Sequence, residues 1–261
     1  MKVEIEKEFL KEIDIEDIKK IALKSGKAIL KIYETDFYVK YKDDNSPLTE
    51  ADIEANRIIC ESLKKLYPEI PILSEENIEV DYKVRKDWKY YWCIDPIDGT
   101  KEFVKKNGEL TVNIALLYNN KPVLGVVLAP VLGDLYWSKK GDGAFKNGAK
   151  LPLNINKKVE ESLTVVISHT KQPPELLEYI KKLESLTKKV EQISKGSSLK
   201  FCMVAEGKAD IYPRFTPIRE WDTAASHSIL LEAGKDILQY ENGEQVVYNK
   251  KNLLHPWFIV R

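Results

Sequence analysis

From residue 90 to residue 138 the chain reads as a series of short β-forming runs, 90–94, 111–118, 122–129 and 134–138, cut by Asn119-Asn120 and Gly133, with Gly141-Asp142-Gly143 just beyond. Runs of this length between turn residues predict an antiparallel meander over 111–138, and residues 70–74 predict one more strand ahead of it. Two segments with a different period come first. Ile15, Ile18, Ala22, Ile29 and Tyr33 recur at helical spacing, so residues 14–33 predict an amphipathic helix laid on something apolar. Thr49 announces a second: it is a good N-cap, Asp52 stands three residues on in a capping-box arrangement, and Ile53, Ile59, Leu63 and Leu66 carry the helix to Pro68.

Beyond about residue 155 strands and helices alternate. Strands are expected at 163–168, 188–193, 209–213, 236–240 and 258–260, and helices at 174–187, 197–207 and 222–233, the last closed by Gly234. No repeat, low-complexity tract or Gly/Ser linker divides the 261 residues, which are read as two tightly docked halves, 1–155 and 156–261. A hydrophobic share of 43% supplies a sizeable core, and 41 basic side chains balance 41 acidic ones without a long single-sign block. That balance gives no support to a nucleic-acid or membrane-surface role. The longest apolar stretch, around Val126 to Leu132, is far short of the ~20 residues of a membrane-spanning helix, and residues 1–20 fit neither a secretion signal nor a transit helix. Cys60, Cys93 and Cys202 are odd in number and form no CxxC pair, which fits a reducing, cytoplasmic setting; each sits in an apolar string and is read as core packing.

The chemistry concentrates in Tyr90 to Phe103, an apolar strand ending in Asp95 and Asp98 with Pro96 between them and Gly99-Thr100 after. Carboxylates are hard ligands suited to Mg²⁺, and Pro96 restricts the backbone so that Asp95, the Ile97 carbonyl and Asp98 face one point. Gly99 permits close approach of a substrate, and a helix starting near Thr100 offers unpaired N–H groups to a phosphate. The competing reading is an Asx-Pro turn with a capping Asp. Glu75-Glu76 after a strand and Glu220-Trp221-Asp222 at a helix start add carboxylates, although alone the first is ordinary helix-start chemistry and the second an N-cap. His169, His227 and His255 stand in no ligand spacing and are read as surface or satisfied-core histidines.

PLTEAD (47–52), LSEEN (73–77), DPIDGTKEF (95–103) and EWDTAAS (220–226), in this order and at these separations, resemble the signature of the inositol monophosphatase superfamily over nearly the whole chain. The resemblance implies a layered α/β/α/β/α sugar-phosphatase fold of the α+β or α/β class. It implies two or three Mg²⁺ ions held by Glu75, Asp95, the Ile97 carbonyl, Asp98 and Asp222, with Gly99 and Thr100 at the phosphate. Lys101-Glu102-Phe103, the run 106–109, GSSLKFCMVAEG (196–207) and ADIYPR (209–214) are similar to the bacterial 3'(2'),5'-bisphosphate nucleotidase branch. A substrate with a second phosphate needs cationic groups, and Lys101, Lys200 and Arg214 are candidates beside Gly196 and Ser197, although each also fits a solvated surface charge.

The expected reaction is Mg²⁺-dependent removal of the 3'-phosphate from adenosine 3',5'-bisphosphate, with an implied role in sulfate assimilation. Glu75 would hold the ion nearest the attacking water, and Thr100, oriented by Asp52, would position or deprotonate that water; Asp52 also fits a purely capping role. The alternatives are an inositol or other sugar phosphatase, and an inactive phosphate-ligand sensor. Arg219-Glu220 is expected to alter the pocket rim. Whether the chain forms a homodimer stays open.

Overall fold

The computed structural model describes residues 8–41, 47–77, 80–153 and 162–261, so the half boundary placed at residue 155 lies outside the described residues. In chain order, helix α1 (Ile15–Tyr33) and the short pair β1 (Val39–Tyr41) and β2 (Pro47–Thr49) lead to α2 (Glu50–Leu66). A seven-stranded sheet follows, built from β3 (Ile72–Ser74), β4 (Tyr90–Asp98), β5 (Thr111–Tyr118), β6 (Lys121–Ala129), β7 (Asp134–Lys139), β8 (Gly143–Lys146) and β9 (Ala149–Lys150), which lie side by side in that order. The one-turn helices α3 (Tyr82–Arg85) and α4 (Thr100–Val104) interrupt it. All pairings are antiparallel except β3 with β4. The meander thus runs two strands further than the sequence pattern predicted, with Gly141-Asp142-Gly143 turning into β8.

The rest of the chain contributes β10 (Leu163–Ile167), α5 (Pro174–Leu186), β11 (Val190–Ser194), α6 (Leu199–Glu206), β12 (Tyr212–Arg214), α7 (Trp221–Glu232), β13 (Ile237–Gln239) and β14 (Phe258–Val260). β10 pairs in parallel with β11, β14 lies between β12 and β13, and a single bridge from Val165 to Ile211 joins the two groups. Stacking gives α1 and α2, the seven-stranded sheet, α6 and α7, the smaller strands, and α5 outside. This is the expected α/β/α/β/α layering.

Period-two alternation decides what reaches the centre. On β4 and β5, Trp92, Ile94, Val112, Ile114 and Leu116 join the core beneath α1 and α2, whereas Tyr91, Cys93, Ala115 and Leu117 join the core around α6 and α7. Asp95 continues the second set and Asn113 lies directly opposite it in the ladder. Helix α7 sits tightly on that face: a Cβ on Gly125 of β6 would fall 2.2 Å from the Ala225 carbonyl oxygen, so only glycine admits the helix there. Residues 223–230 of α7 are all buried, as expected of a helix covered on both sides. The three cysteines are free and buried, as read from their apolar surroundings. No described helix is long and apolar enough to cross a membrane.

Candidate active site

The sheet delivers its carboxylates to the mouth of the α7 layer. β4 continues past the expected residue 94 to Asp98, with an irregularity in its pairing to β5 between Asp95 and Asp98. Asp95 Oδ1 accepts the Ile97 N–H at 3.1 Å, so the Asx turn that competed with the metal reading is present and shapes the same loop. Gly99 then takes a left-handed conformation (φ 98°), and a Cβ there would meet the Glu109 carbonyl at 3.1 Å and Ser197 Cβ at 3.3 Å. Glycine is required both by the turn and by the close approach of two other segments. Helix α4 starts at Thr100 as expected but is only five residues long, so it presents local N–H groups and not a long dipole.

Glu75 follows β3 in a turn, not at a helix start as its local sequence had suggested. One carboxylate oxygen each from Glu75, Asp95 and Asp222 lies within 4.8 Å of the others. Burial, followed by the charges of Glu75, Asp98 and Asp222, holds the Asp95 carboxyl far above the ordinary carboxylate range, and burial with Asp98 and Glu75 does the same to Asp222. Asp98 is raised by burial against the opposing pull of the Lys200 ammonium and a hydrogen bond from Ser198. Hard oxygen donors gathered against their own repulsion fit a divalent cation such as Mg²⁺. Asp222 Oδ2 also accepts the Arg219 N–H at 2.9 Å, so this residue, too, combines its helix-start role with a place in the cluster.

Asp52 makes contacts on both of its sides. Its Oδ2 accepts the Thr49 N–H at 2.7 Å and the Thr49 hydroxyl at 2.6 Å, while Oδ1 lies 3.1 Å from the Thr100 hydroxyl. Thr100 Oγ1 is also 3.3 Å from the Ile97 carbonyl oxygen. Burial pushes the Asp52 carboxyl up, against the hydrogen bonds from Thr49 and Thr100.

Two adjoining pockets share Asp98, Gly99, Lys101, Glu102 and Asp222 and form one cleft. One end holds Glu75, Asp95, Ile97 and Thr100; the other holds Gly196, Ser197, Lys200 and Arg214. The structure therefore brings every sequence-predicted site residue except Asp52 onto the cleft wall, and Asp52 directly behind Thr100. Lys200 is buried, with Nζ donating to the Ser197 carbonyl at 2.7 Å, which overturns the solvated-charge reading for it. Arg214 donates to Ser168 Oγ at 2.9 Å and to the Pro217 carbonyl at 3.2 Å, while its Nε and the Ser197 hydroxyl are buried without hydrogen-bond partners among the described residues. Lys101 is exposed at the rim.

Other positions depart from sequence expectation. Glu220 does not shape the rim: it is fully buried and accepts from the backbone N–H groups of Asn249 and Lys250 and from Lys250 Nζ. His169 stands at the cleft with Lys195, both paired to Glu109 at 2.6 and 2.8 Å. Residues that local sequence reasoning passed over are Lys195, Ser198 and Asn113; for the last, a lone amide in the apolar run 111–118 was the available signal. His227 and His255, far apart in sequence, are both buried and joined through Tyr248 and Thr223 as satisfied-core groups.

Comparison with known proteins agrees with this architecture. The inositol monophosphatase family profile matches residues 10–256. The chain is 43% identical to the 3'(2'),5'-bisphosphate nucleotidase CysQ of Salmonella typhimurium and 41% identical to that of Escherichia coli, covering 94% of this chain and 98% of each relative. The crystal structure of CysQ from Bacteroides thetaiotaomicron superposes with a TM-score of 0.80 at 44% identity, covering 92% of this chain and 93% of that one. An IMPase of Thermotoga maritima superposes with a TM-score of 0.75 at 27% identity, covering 92% and 89%. The chain belongs to the inositol monophosphatase family and groups with its CysQ branch.

Proposed function

We propose that this chain is a Mg²⁺-dependent phosphomonoesterase that removes the 3'-phosphate from adenosine 3',5'-bisphosphate, giving AMP and phosphate. The observation that carries the reading is the continuity of the cleft from the cluster of Glu75, Asp95 and Asp222 to the cationic end at Lys200 and Arg214. A phosphate monoester is anionic and resists attack by water. Glu75, Asp95, the Ile97 carbonyl, Asp98 and Asp222 would hold Mg²⁺, which would supply an acidified water and offset charge on the leaving oxygen.

The protein's own groups do the rest. Asp52, fixed by its two bonds from Thr49, orients the Thr100 hydroxyl and accepts its proton, leaving Thr100 Oγ1 to draw a proton from the attacking water. The first N–H groups of α4, opened by Gly99, face the scissile phosphate. Lys200, Arg214, Lys101 and the backbone at Gly196 and Ser197 take the second phosphate, and the unpartnered Arg214 Nε and Ser197 Oγ are donors that such a ligand satisfies.

Inositol 1-phosphate carries no second phosphate to meet the Lys200 and Arg214 end, and the relatives at 41–43% identity are nucleotidases by name. A catalytically silent sensor would not require Asp52 to be aimed at the Thr100 hydroxyl in the same cleft as the cluster of Glu75, Asp95 and Asp222. In keeping with the reading, the protein would act in the cytoplasm, in sulfate assimilation. Parallel turnover of adenosine 3',5'-bisphosphate and inositol 1-phosphate with Mg²⁺ is the test: a higher kcat/KM for the bisphosphate is expected, and a preference for inositol 1-phosphate overturns the assignment.

A further inference from the structure

Ser198 stands between two acidic residues that arrive from distant parts of the chain. Its hydroxyl lies 2.8 Å from Asp98 Oδ2, at the end of β4, and 2.9 Å from the Asp222 carbonyl oxygen, in the first turn of α7. It accepts in turn from the Asn113 side-chain amide at 3.0 Å, and Asn113 sits opposite Asp95 in the β4–β5 ladder. Both residues are fully or almost fully buried.

We propose that Asn113 and Ser198 are positioning residues that set the spacing of Asp98 and Asp222 and thereby the affinity of the site for Mg²⁺. The inference rests on the metal reading above. Three observations carry it. Ser198 makes no side-chain cap bond to α6, although it occupies the N-cap position, so its hydroxyl is not spent on the helix. Asn113 keeps a buried Oδ1 without a hydrogen-bond partner among the described residues, a cost that an apolar residue on this sheet face would avoid. The polarity is also consistent: the amide donates to the hydroxyl, which is left to donate to the Asp98 carboxylate or the Asp222 carbonyl. Without this contact the Asp98 carboxylate is free to swing away from its like-charged neighbours, and a cation must order it on binding. Partners of this kind, one step behind the ligands, are worth about tenfold to a hundredfold in metal affinity.

Calorimetric titration of Mg²⁺ into chelator-stripped protein tests the inference without turnover. Ser198→Ala and Asn113→Ala, each checked for native circular dichroism, are expected to weaken Mg²⁺ binding about tenfold. The Asn113→Ala effect should vanish in the Ser198→Ala background, because the amide acts only through the hydroxyl. At saturating Mg²⁺ the KM for substrate should be that of the unmodified enzyme, which separates positioning of the ion from damage to the substrate cleft. Unchanged Mg²⁺ affinity in either folded variant, or additive losses in the double variant, overturns the inference. Absence of Mg²⁺ binding by the unmodified protein would instead overturn the metal reading and the inference with it.

Discussion

The Thr100 hydroxyl lies 3.1 Å from Asp52 Oδ1, and the other Asp52 oxygen is closed off by both donors of Thr49. The carboxylate cannot rotate without breaking two further bonds, so the Thr100 side chain has one acceptor fixed in place. Thr100→Ala should lower kcat by about a hundredfold or more while changing KM little, because the hydroxyl acts on the attacking water in the transition state. Thr100→Ser should keep most of the rate. Steady-state kinetics on both variants decide it, and equal rates for Ala and Ser would reduce Thr100 to a helix-start residue.

Asp95→Asn and Asp222→Asn should each abolish Mg²⁺-dependent turnover yet leave circular dichroism unchanged, because each removes one cluster charge and no core contact. Near-normal turnover at saturating Mg²⁺ in both would contradict the two roles assigned to the cluster.

The same carboxylates tie stability to pH. Asp52, Asp95, Asp98 and Asp222 hold protons more tightly in the fold than in the unfolded chain, whose carboxyls titrate near pH ~3.9. The folded state therefore binds more protons above that pH, and their stabilising contribution is complete below it and lost as pH rises through the folded values. In stripped protein, the unfolding free energy of Asp95→Asn relative to the unmodified chain, read from denaturant titrations, should rise with pH from about 4 upward, by about 1.4 kcal/mol per pH unit while one proton difference persists. Saturating Mg²⁺ should reverse the advantage. A pH-independent difference between the two proteins would show that the cluster is not strained.

Some of this was legible locally and some was not. The Thr49–Asp52 box was visible because both partners lie within one turn, and the strand over 90–94 because its apolar residues are contiguous. Its extension through Asp98 depends on pairing with β5, which no local pattern carries. Lys200, from sequence a candidate cation for a second phosphate that also fits a solvated lysine, is buried by the packing of α6 between two sheets. The Asn113–Ser198 contact joins positions 85 residues apart, one on β5 and one at the N-cap of α6, and the docking of that helix on the sheet had to be known before either residue could be placed.

Arg214→Gln should lower kcat/KM for adenosine 3',5'-bisphosphate about tenfold to a hundredfold, corresponding to roughly 1.5 to 3 kcal/mol for a charge-assisted contact, with a small monophosphate nearly unaffected. The ratio of the two specificity constants is the quantity to measure. Equal losses on both substrates would mean that Arg214 serves Ser168 and Pro217 structurally, and not the second phosphate.

Gly125→Ala should destabilise the protein by about 1–3 kcal/mol, since the added methyl would collide with the Ala225 carbonyl and drive α7 off the sheet. Denaturant unfolding measures this directly. Because Asp222 rides on the same helix, Mg²⁺ affinity should fall with stability.

The central place of α7 also bears on how the protein is made. When a growing chain has emerged only through residue 153, all seven strands of the large sheet exist, but the face bearing Tyr91, Cys93, Ala115, Leu117 and Val127 has nothing to cover it. That nascent sheet is apolar on its bare side and lacks Asp222, so it can neither finish folding nor assemble the full acidic cluster until residues 199–232 arrive. Most of the polypeptide must therefore leave the ribosome before Asp222 can join Glu75 and Asp95, and prematurely terminated chains are expected to be inactive, sticky intermediates and not weakened enzymes.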